Sequence, residues 1–308
     1  MRIIDSHVHF WRIGGPGRTW PGADLPTLYR DFGLAELGEA IASAPALSVS
    51  PRADMPPTVN VPRGAGVPPA VDVPPGAGIQ SVVLVQSQPD DRDTDWLLDL
   101  AADLSLVAAV VGWVDLASPS APARIAGLAG KSKLRSIRPM LQSIEDTYWL
   151  LRPELEPALH AMAQQGLCFD ALIQPRHLPM LMEFARRWPK LPIVIDHGAK
   201  PRIPLGEIEP WQSQLAELGL LPNVYCKLSG LRTEQAAGAS SAELGPYMRV
   251  LMRAFRDRLM WGSDWPVLLN SGDRYCDWLQ TSMQAAQSEG IALQCLFREA
   301  ASRFYGLA

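Results

Sequence analysis

The sequence predicts an α/β protein of the (β/α)8, or TIM-barrel, class, and three observations carry that expectation. Eight short runs rich in Val, Ile and Leu punctuate the chain. Most are continuous rather than alternating, as parallel strands covered on both faces should be. Amphipathic stretches with helical apolar spacing lie between them. Several runs end abruptly in ionisable or small residues, and these ends fall early, midway and late in the 308 residues. One rim of one barrel would collect them all.

The strands expected in order are Arg2 to His7, Ser81 to Gln86, Ala108 to Val114, Leu134 to Arg138, Cys168 to Ile173, Leu191 to Ile195, Val224 to Leu228 and Arg258 to Gly262. Helical spacing covers Thr94 to Leu104, Pro153 to Gln165, His177 to Trp188, Ile208 to Leu218, Ala242 to Phe255 and Asp273 to Glu289. Several of these begin with Pro or Asp and end near Gly, ordinary start and stop signals. A single domain over residues 1–308 follows, interrupted by a Pro/Gly-rich insertion at about 45–78 that holds nine of the chain's 28 prolines. Within it Val59-Asn60-Val61-Pro62-Arg63-Gly64-Ala65-Gly66 recurs twelve residues later as Val71-Asp72-Val73-Pro74-Pro75-Gly76-Ala77-Gly78. Such a composition sustains neither helix nor paired strand. It joins the first helical stretch to the second strand, a connection expected on the face opposite the strand C-termini.

A net charge of −4, from 28 basic and 32 acidic residues, gives no electrostatic case for nucleic acid or an anionic membrane. A small-molecule partner remains, and a homo-oligomer is left open. Cys168, Cys226, Cys276 and Cys295 lack Cys-x-x-Cys spacing and sit in apolar or helical context, which suits reduced thiols. The start carries no basic segment followed by an apolar one, and no apolar run is long enough to span a bilayer. A cytoplasmic location is the expectation.

The first strand closes in Asp5-Ser6-His7-Val8-His9. Alternate residues of a strand share a face, so both imidazoles can reach one ion or one substrate. Two further strand ends add to this pair: Val194-Ile195-Asp196-His197-Gly198 and Met260-Trp261-Gly262-Ser263-Asp264-Trp265-Pro266. Arg138 and Lys227 close or nearly close apolar strands, which is costly unless an anion or carboxylate meets them. Arg138 offers a planar fork for a carboxylate or oxyanion and Lys227 a point charge. Either can instead pair with Asp196 or Asp170. Gln86 and Trp113 end strands two and three as candidate contacts to a polyhydroxylated substrate, with packing the default for Trp113. Arg176 and His177, beyond strand five, are candidate substrate contacts too, although an N-terminal helix position explains His177 equally well.

This constellation resembles the amidohydrolase superfamily, and within it the amidohydrolase-related group of lactone hydrolases that includes sugar lactonases, pyrone dicarboxylate lactonase and sulfomuconolactone hydrolase. The resemblance implies that Asp264 orients and deprotonates water. It matches His197 to the sixth-strand histidine, which either ligates a metal or hydrogen-bonds the substrate carbonyl. Arg138 stands where a bridging lysine is expected, and no histidine closes strand five, so a binuclear centre is not expected. His7, His9, His197 and Asp264 remain as a mononuclear set of the kind zinc accepts. The same resemblance leaves that divalent ion dispensable, since the group contains members that work without one.

The expected reaction is hydrolysis of a sugar-derived or carboxylated lactone. Asp264 takes a proton from water, Arg138 and His197, with or without a metal, stabilise the oxyanion, and Asp264 returns the proton to the leaving oxygen. The rival reading is a metal-dependent decarboxylase of the same superfamily. A non-catalytic binding barrel is a third, disfavoured because none of the matched acid/base positions is lost.

Overall fold

The computed structural model describes residues 1–15, 18–43 and 78–307. The insertion therefore lies outside the described residues, except for its last residue, Gly78. Eight strands follow one another around a single parallel sheet in chain order. They are β1 (Ile3–Val8), β2 (Ile79–Val85), β3 (Val107–Gly112), β4 (Leu134–Ile137), β5 (Cys168–Ala171), β6 (Ile193–Ile195), β7 (Val224–Leu228) and β8 (Leu259–Trp261). Between β8 and β1 the ladder is reduced to a parallel bridge between Val8 and Trp265. The His9 amide donates to the Trp265 carbonyl at 2.8 Å, and the Asp264 amide donates to the His7 carbonyl at 2.9 Å. Closure thus occurs at the level of the histidines and Asp264, and it fixes those residues relative to one another.

The helices α1 (Leu34–Ala42), α2 (Asp91–Ala102), α3 (Ala121–Ala129), α4 (Glu156–Gln164), α5 (Leu178–Arg187), α6 (Trp211–Leu218), α7 (Gly245–Phe255), α8 (Tyr275–Ser288) and α9 (Ala300–Tyr305) cover the sheet. Each strand pair agrees with the expected run to within a few residues at either end. Alternation sorts the apolar side chains into two cores. Val82, Leu84, Val107 and Val110 face outward to the helices, whereas Val83, Val85, Ala109 and Val111 join Ile4, Cys168, Val194 and Met260 inside the barrel.

The final residues are more than a tail. Helix α9 sends Ala300, Ala301, Phe304 and Tyr305 against that interior layer. Its short length and the absence of a strand after it conceal this role in the sequence. At the opposite rim, the loop after β1 is strapped down by Arg18, which pairs with Asp93 and donates to Ser87 Oγ at 2.8 Å. The bridge between Trp11 and Phe32 returns the loop to its origin. Phe32 meets Trp265 edge to face at 5.4 Å between ring centroids, so the aromatic residue next to Asp264 is packed on both sides of the closure.

Candidate active site

The site is assembled at the C-terminal ends of the strands. Asp5, fully buried, ties β1 to β8: its Oδ1 accepts from the Ser263 amide at 2.8 Å and its Oδ2 from the Tyr275 hydroxyl at 2.8 Å. Burial pushes the Asp5 carboxyl up to about 6, against the lowering by its bonds to Ser263 and Tyr275. Asp5 is therefore a brace rather than a reacting group. The close approach of the two strands needs Gly262, where an added Cβ would sit 2.7 Å from the His7 Cβ.

His7 and His9 point the same way, as their alternation implies, with Nε2 atoms 3.1 Å apart. His9 is fixed by its Nδ1, 2.7 Å from the Val85 carbonyl oxygen. That oxygen only accepts, so Nδ1 carries a proton. Asp264 follows β8 in a left-handed conformation, φ 57°, a backbone state that is costly for a residue with a Cβ and that gathers at functional sites. Its Oδ1 lies 3.4 Å from His9 Nε2, 3.6 Å from His7 Nε2 and 3.9 Å from His197 Nε2. Burial alone would raise the Asp264 carboxyl. The imidazoles around it, His197 foremost and then His9 and His7, outweigh burial and hold the group well below the usual carboxylate range.

His197 opens a left-handed turn that runs through Lys200. The ring is set by Ser229, whose Oγ is 2.9 Å from Nδ1, and by Gly230. A Cβ at Gly230 would stand 2.3 Å from that same nitrogen. Burial lowers the His197 imidazole to about 4, despite the opposing pull of Asp264 and Asp196, so near neutral pH it acts as an uncharged ring.

Below His7 the interior is ionic. Lys227 Nζ lies 2.5 Å from Asp170 Oδ2, 3.0 Å from Asp196 Oδ1 and 3.2 Å from His7 Nδ1. The Tyr305 hydroxyl donates to Asp170 at 2.8 Å, bringing the C-terminal helix into the same network. Burial opposes charge on Asp196, yet Lys227, His7 and Arg138 together hold its carboxyl well below the ordinary value. Burial and the Lys227 charge likewise keep His7 well below its usual value.

Several expected contacts take on other tasks. Lys227, expected at the substrate, has no exposed surface and is consumed by the carboxylates beneath the site. Arg138 does not present a free fork: one terminal nitrogen meets Asp196 Oδ2 at 3.3 Å and the other donates to the Gln86 carbonyl. Only its Nε lacks a protein partner among the described residues. Gln86 donates from Nε2 to the Arg138 carbonyl at 2.9 Å and leaves Oε1 without a partner among the described residues. Arg176 spends its guanidinium on Thr147 Oγ1 at 2.6 Å and on the carbonyls of Ile144 and Glu145, clamping the loop after β4 to the loop after β5. His177 Nδ1 accepts from the Gln174 amide at 3.1 Å, and its buried Nε2 has no partner among the described residues. Trp113, half-buried at the end of β3, is anchored through its amide, which donates to Thr94 Oγ1 at 2.7 Å. Ser229, Tyr275 and Tyr305 went unforeseen. Of these only Ser229, within Lys227-Leu228-Ser229-Gly230, stands in a stretch that marks a strand end.

The donor set fits a single divalent ion. Atoms bound at about 2.0–2.1 Å to a tetrahedral ion are roughly 3.3 Å apart, and His7 Nε2, His9 Nε2 and Asp264 Oδ1 are separated by 3.1, 3.4 and 3.6 Å. His197 stands further from Asp264 and forms a second group with His7 and Asp196.

A family model described as amidohydrolase matches residues 4–307, and the chain belongs to that family. Over 265 residues it is 45% identical to a protein named L-fucono-1,5-lactonase from Burkholderia ambifaria, spanning 86% of this chain and 80% of that one. It is 31% identical over 318 residues to an L-fucono-1,5-lactonase from Burkholderia multivorans, with 95% of each covered. An amidohydrolase from Burkholderia multivorans solved with bound zinc superposes over the whole of both chains with a TM-score of 0.82 at 28% identity. A 5-carboxyvanillate decarboxylase from Novosphingobium aromaticivorans, with manganese, has a TM-score of 0.60 at 12% identity over 99% of this chain and 97% of that one. That likeness shows a shared fold. No described helix is long and apolar enough to cross a membrane.

Proposed function

We propose that the chain hydrolyses a sugar lactone to its hydroxy acid, with L-fucono-1,5-lactone the first substrate to test. The observation that carries the reading is Asp264: a buried, ionised carboxylate at the barrel mouth, faced by three imidazoles within 3.9 Å and paired with no lysine or arginine among the described residues. The imidazoles hold Asp264 ionised, as the acceptor for a water proton, and can reorganise as that proton comes and goes.

In the proposed reaction Asp264 takes one proton from water as the oxygen bonds to the lactone carbonyl carbon. The uncharged His197, with Nδ1 engaged by Ser229, donates from Nε2 to the developing oxyanion. When the ring C–O bond breaks, its electron pair stays on the departing oxygen, which takes the proton back from Asp264. Because the acid form of Asp264 is disfavoured in its surroundings, return of the proton is downhill. Arg138 contributes its remaining Nε–H and holds Gln86 and Asp196 in place. A divalent ion held by His7, His9 and Asp264 would supply Lewis-acid polarisation of the carbonyl.

Support for the substrate class comes from the names of the two lactonases above and from Gln86 Oε1, a buried acceptor that a substrate hydroxyl satisfies and a carboxylate does not. The decarboxylase alternative has only the shared fold behind it. A panel of 1,4- and 1,5-sugar lactones and aromatic carboxylates, read by acid release and by carbon dioxide, tests the reading. Turnover of 1,5-lactones is expected. Carbon dioxide from a carboxylate, with every lactone inert, would refute it.

A further inference from the structure

Lys227 fills the barrel centre directly beneath His7, with no surface open to solvent. A lysine ammonium has three protons to give and no lone pair. Three acceptor atoms lie close: Asp170 Oδ2 at 2.5 Å, His7 Nδ1 at 3.2 Å and Asp196 Oδ1 at 3.0 Å. The ammonium is aligned to hydrogen-bond the first two, while Asp196 Oδ1 is an ion-pair partner that accepts no hydrogen bond among the described residues. His7 Nδ1 is therefore the acceptor in its contact with Lys227, and an uncharged His7 ring carries its one proton on Nε2. His9 is the mirror case: Nδ1 faces the Val85 carbonyl at 2.7 Å, so a proton lies there, and in the singly protonated ring Nε2 is the acceptor. Two nitrogens 3.1 Å apart share one proton, and with the rings so arranged His7 Nε2 donates it to His9 Nε2.

An ion shared by the same two Nε2 atoms requires the opposite His7 tautomer, with the proton on Nδ1. That proton would face the Lys227 ammonium at 3.2 Å, with the carboxylate oxygen Asp196 Oδ1 further off at 3.6 Å, and a divalent charge would be placed above a buried positive one. The residues have the spacing for a metal while the support beneath His7 opposes it.

We propose that Lys227 is a positioning residue that sets the His7 tautomer and thereby weakens the affinity of the His7, His9 and Asp264 group for a divalent cation, making a hydrogen-bonded imidazole pair the resting form of the site. The inference does not depend on which lactone is the substrate.

Two measurements test it. In the metal-free protein labelled with 15N-histidine, the long-range nitrogen–proton spectrum reports the tautomer of each of the five histidines, with His7 assigned by the loss of its signals in His7→Asn. His7 protonated on Nε2 is expected. His7 protonated on Nδ1 would overturn the proposal, and this arm needs only the natural protein.

The second measurement is zinc affinity at fixed pH, by competition with a chromophoric chelator. Lys227→Gln combined with Asp170→Asn removes one charge of each sign and offers His7 Nδ1 an amide oxygen. Zinc should bind roughly 10- to 100-fold more tightly, the size of effect typical of changes behind a ligating histidine. Unchanged affinity in a cooperatively melting double variant would also overturn the idea. Tyr305→Phe removes the hydroxyl bonded to Asp170 while keeping the ring that faces Lys227 at 5.6 Å, and should leave zinc affinity within about threefold. Equal tightening in Tyr305→Phe would show that loosened packing, not the lysine, sets the affinity.

Discussion

The two faces of His7 show how the barrel separates reactivity from rigidity. Beneath the ring, Lys227, Asp170, Asp196 and Tyr305 meet one another at 2.5 to 3.2 Å with no solvent-exposed surface. Above it, Asp264 has its imidazole neighbours at 3.4 Å or more, in contacts too long for good hydrogen bonds. Gln86 Oε1 and Arg138 Nε at the same rim have no protein partner among the described residues. Among the described residues, the lower layer has its charges paired without a ligand, although Asp170 Oδ1 and Asp196 Oδ1 accept no hydrogen bond, whereas the upper layer leaves Asp264 with no lysine or arginine beside it. An incomplete polar layer costs stability in the free protein, and substrate or water recovers it.

The comparison breaks most sharply at Asp264. Asp264→Asn keeps size and the backbone bonds that close β8 on β1 while removing the group proposed for both proton transfers. We expect kcat to fall by roughly 10² to 10⁴ with cooperative melting retained. The deficit should be constant from about pH 6 to 8, because a carboxyl held below its usual range is ionised throughout that window. A variant retaining more than about a tenth of native turnover would move the chemistry elsewhere.

The lower layer should respond in stability. Lys227→Ala leaves Asp170 and Asp196 buried without their shared cation, a change that costs about 3–5 kcal/mol in comparable buried pairs. Chemical denaturation should show that loss, and partial restoration is expected when Asp170→Asn is added. A loss below about 1 kcal/mol would mean that water reaches this layer and screens its ion pairs.

Arg138 belongs to both layers and should give a smaller, mixed effect. Its terminal nitrogens join Asp196 to the Gln86 carbonyl, a span that one lysine ammonium cannot cover. Arg138→Lys should lower kcat/KM by roughly 10- to 100-fold with a minor change in melting temperature. Unchanged kinetics would confine Arg138 to structural support.

How far this division was legible in the sequence depends on periodicity. The strands and most helices announce themselves because burial imposes apolar runs of characteristic length and spacing. His7, His9, His197 and Asp264 stand out because ionisable groups directly after such runs need a reason to be there. The pairing of Lys227 with Asp170 and Asp196 was one of two open alternatives, and sequence spacing could not choose between them. Side-chain reach across the barrel decides it. Arg176 looked like a substrate contact because a cation in a rim loop does, whereas its fork is taken by carbonyls some thirty residues earlier. Tyr305 was invisible because its partner is 135 positions away. Helix α3, with Pro122 and Gly127 in nine residues, carries weak propensity and owes its form to packing.

The smallest effect is expected where the chain departs most from barrel composition. Helix α1 ends at Ala42 and β2 begins at Ile79, and the Gly78 carbonyl accepts from the Ile3 amide at 2.9 Å at the very start of β1. The insertion is thus entered and left beside the N-terminal ends of the strands, the face away from Asp264 and the histidines. Gly78 itself must stay, since its φ is +75° and a Cβ there would lie 2.5 Å from the Met1 carbonyl oxygen. Replacing residues 59–77 by a short Gly/Ser link shortens a connection whose closure entropy varies only slowly with length. We expect kcat and KM to stay within about threefold of native values, with melting displaced by a few degrees at most. A folded deletion variant that has lost turnover would mean that this segment reaches the reactive face, and would erase the separation of the two ends on which the other predictions rest.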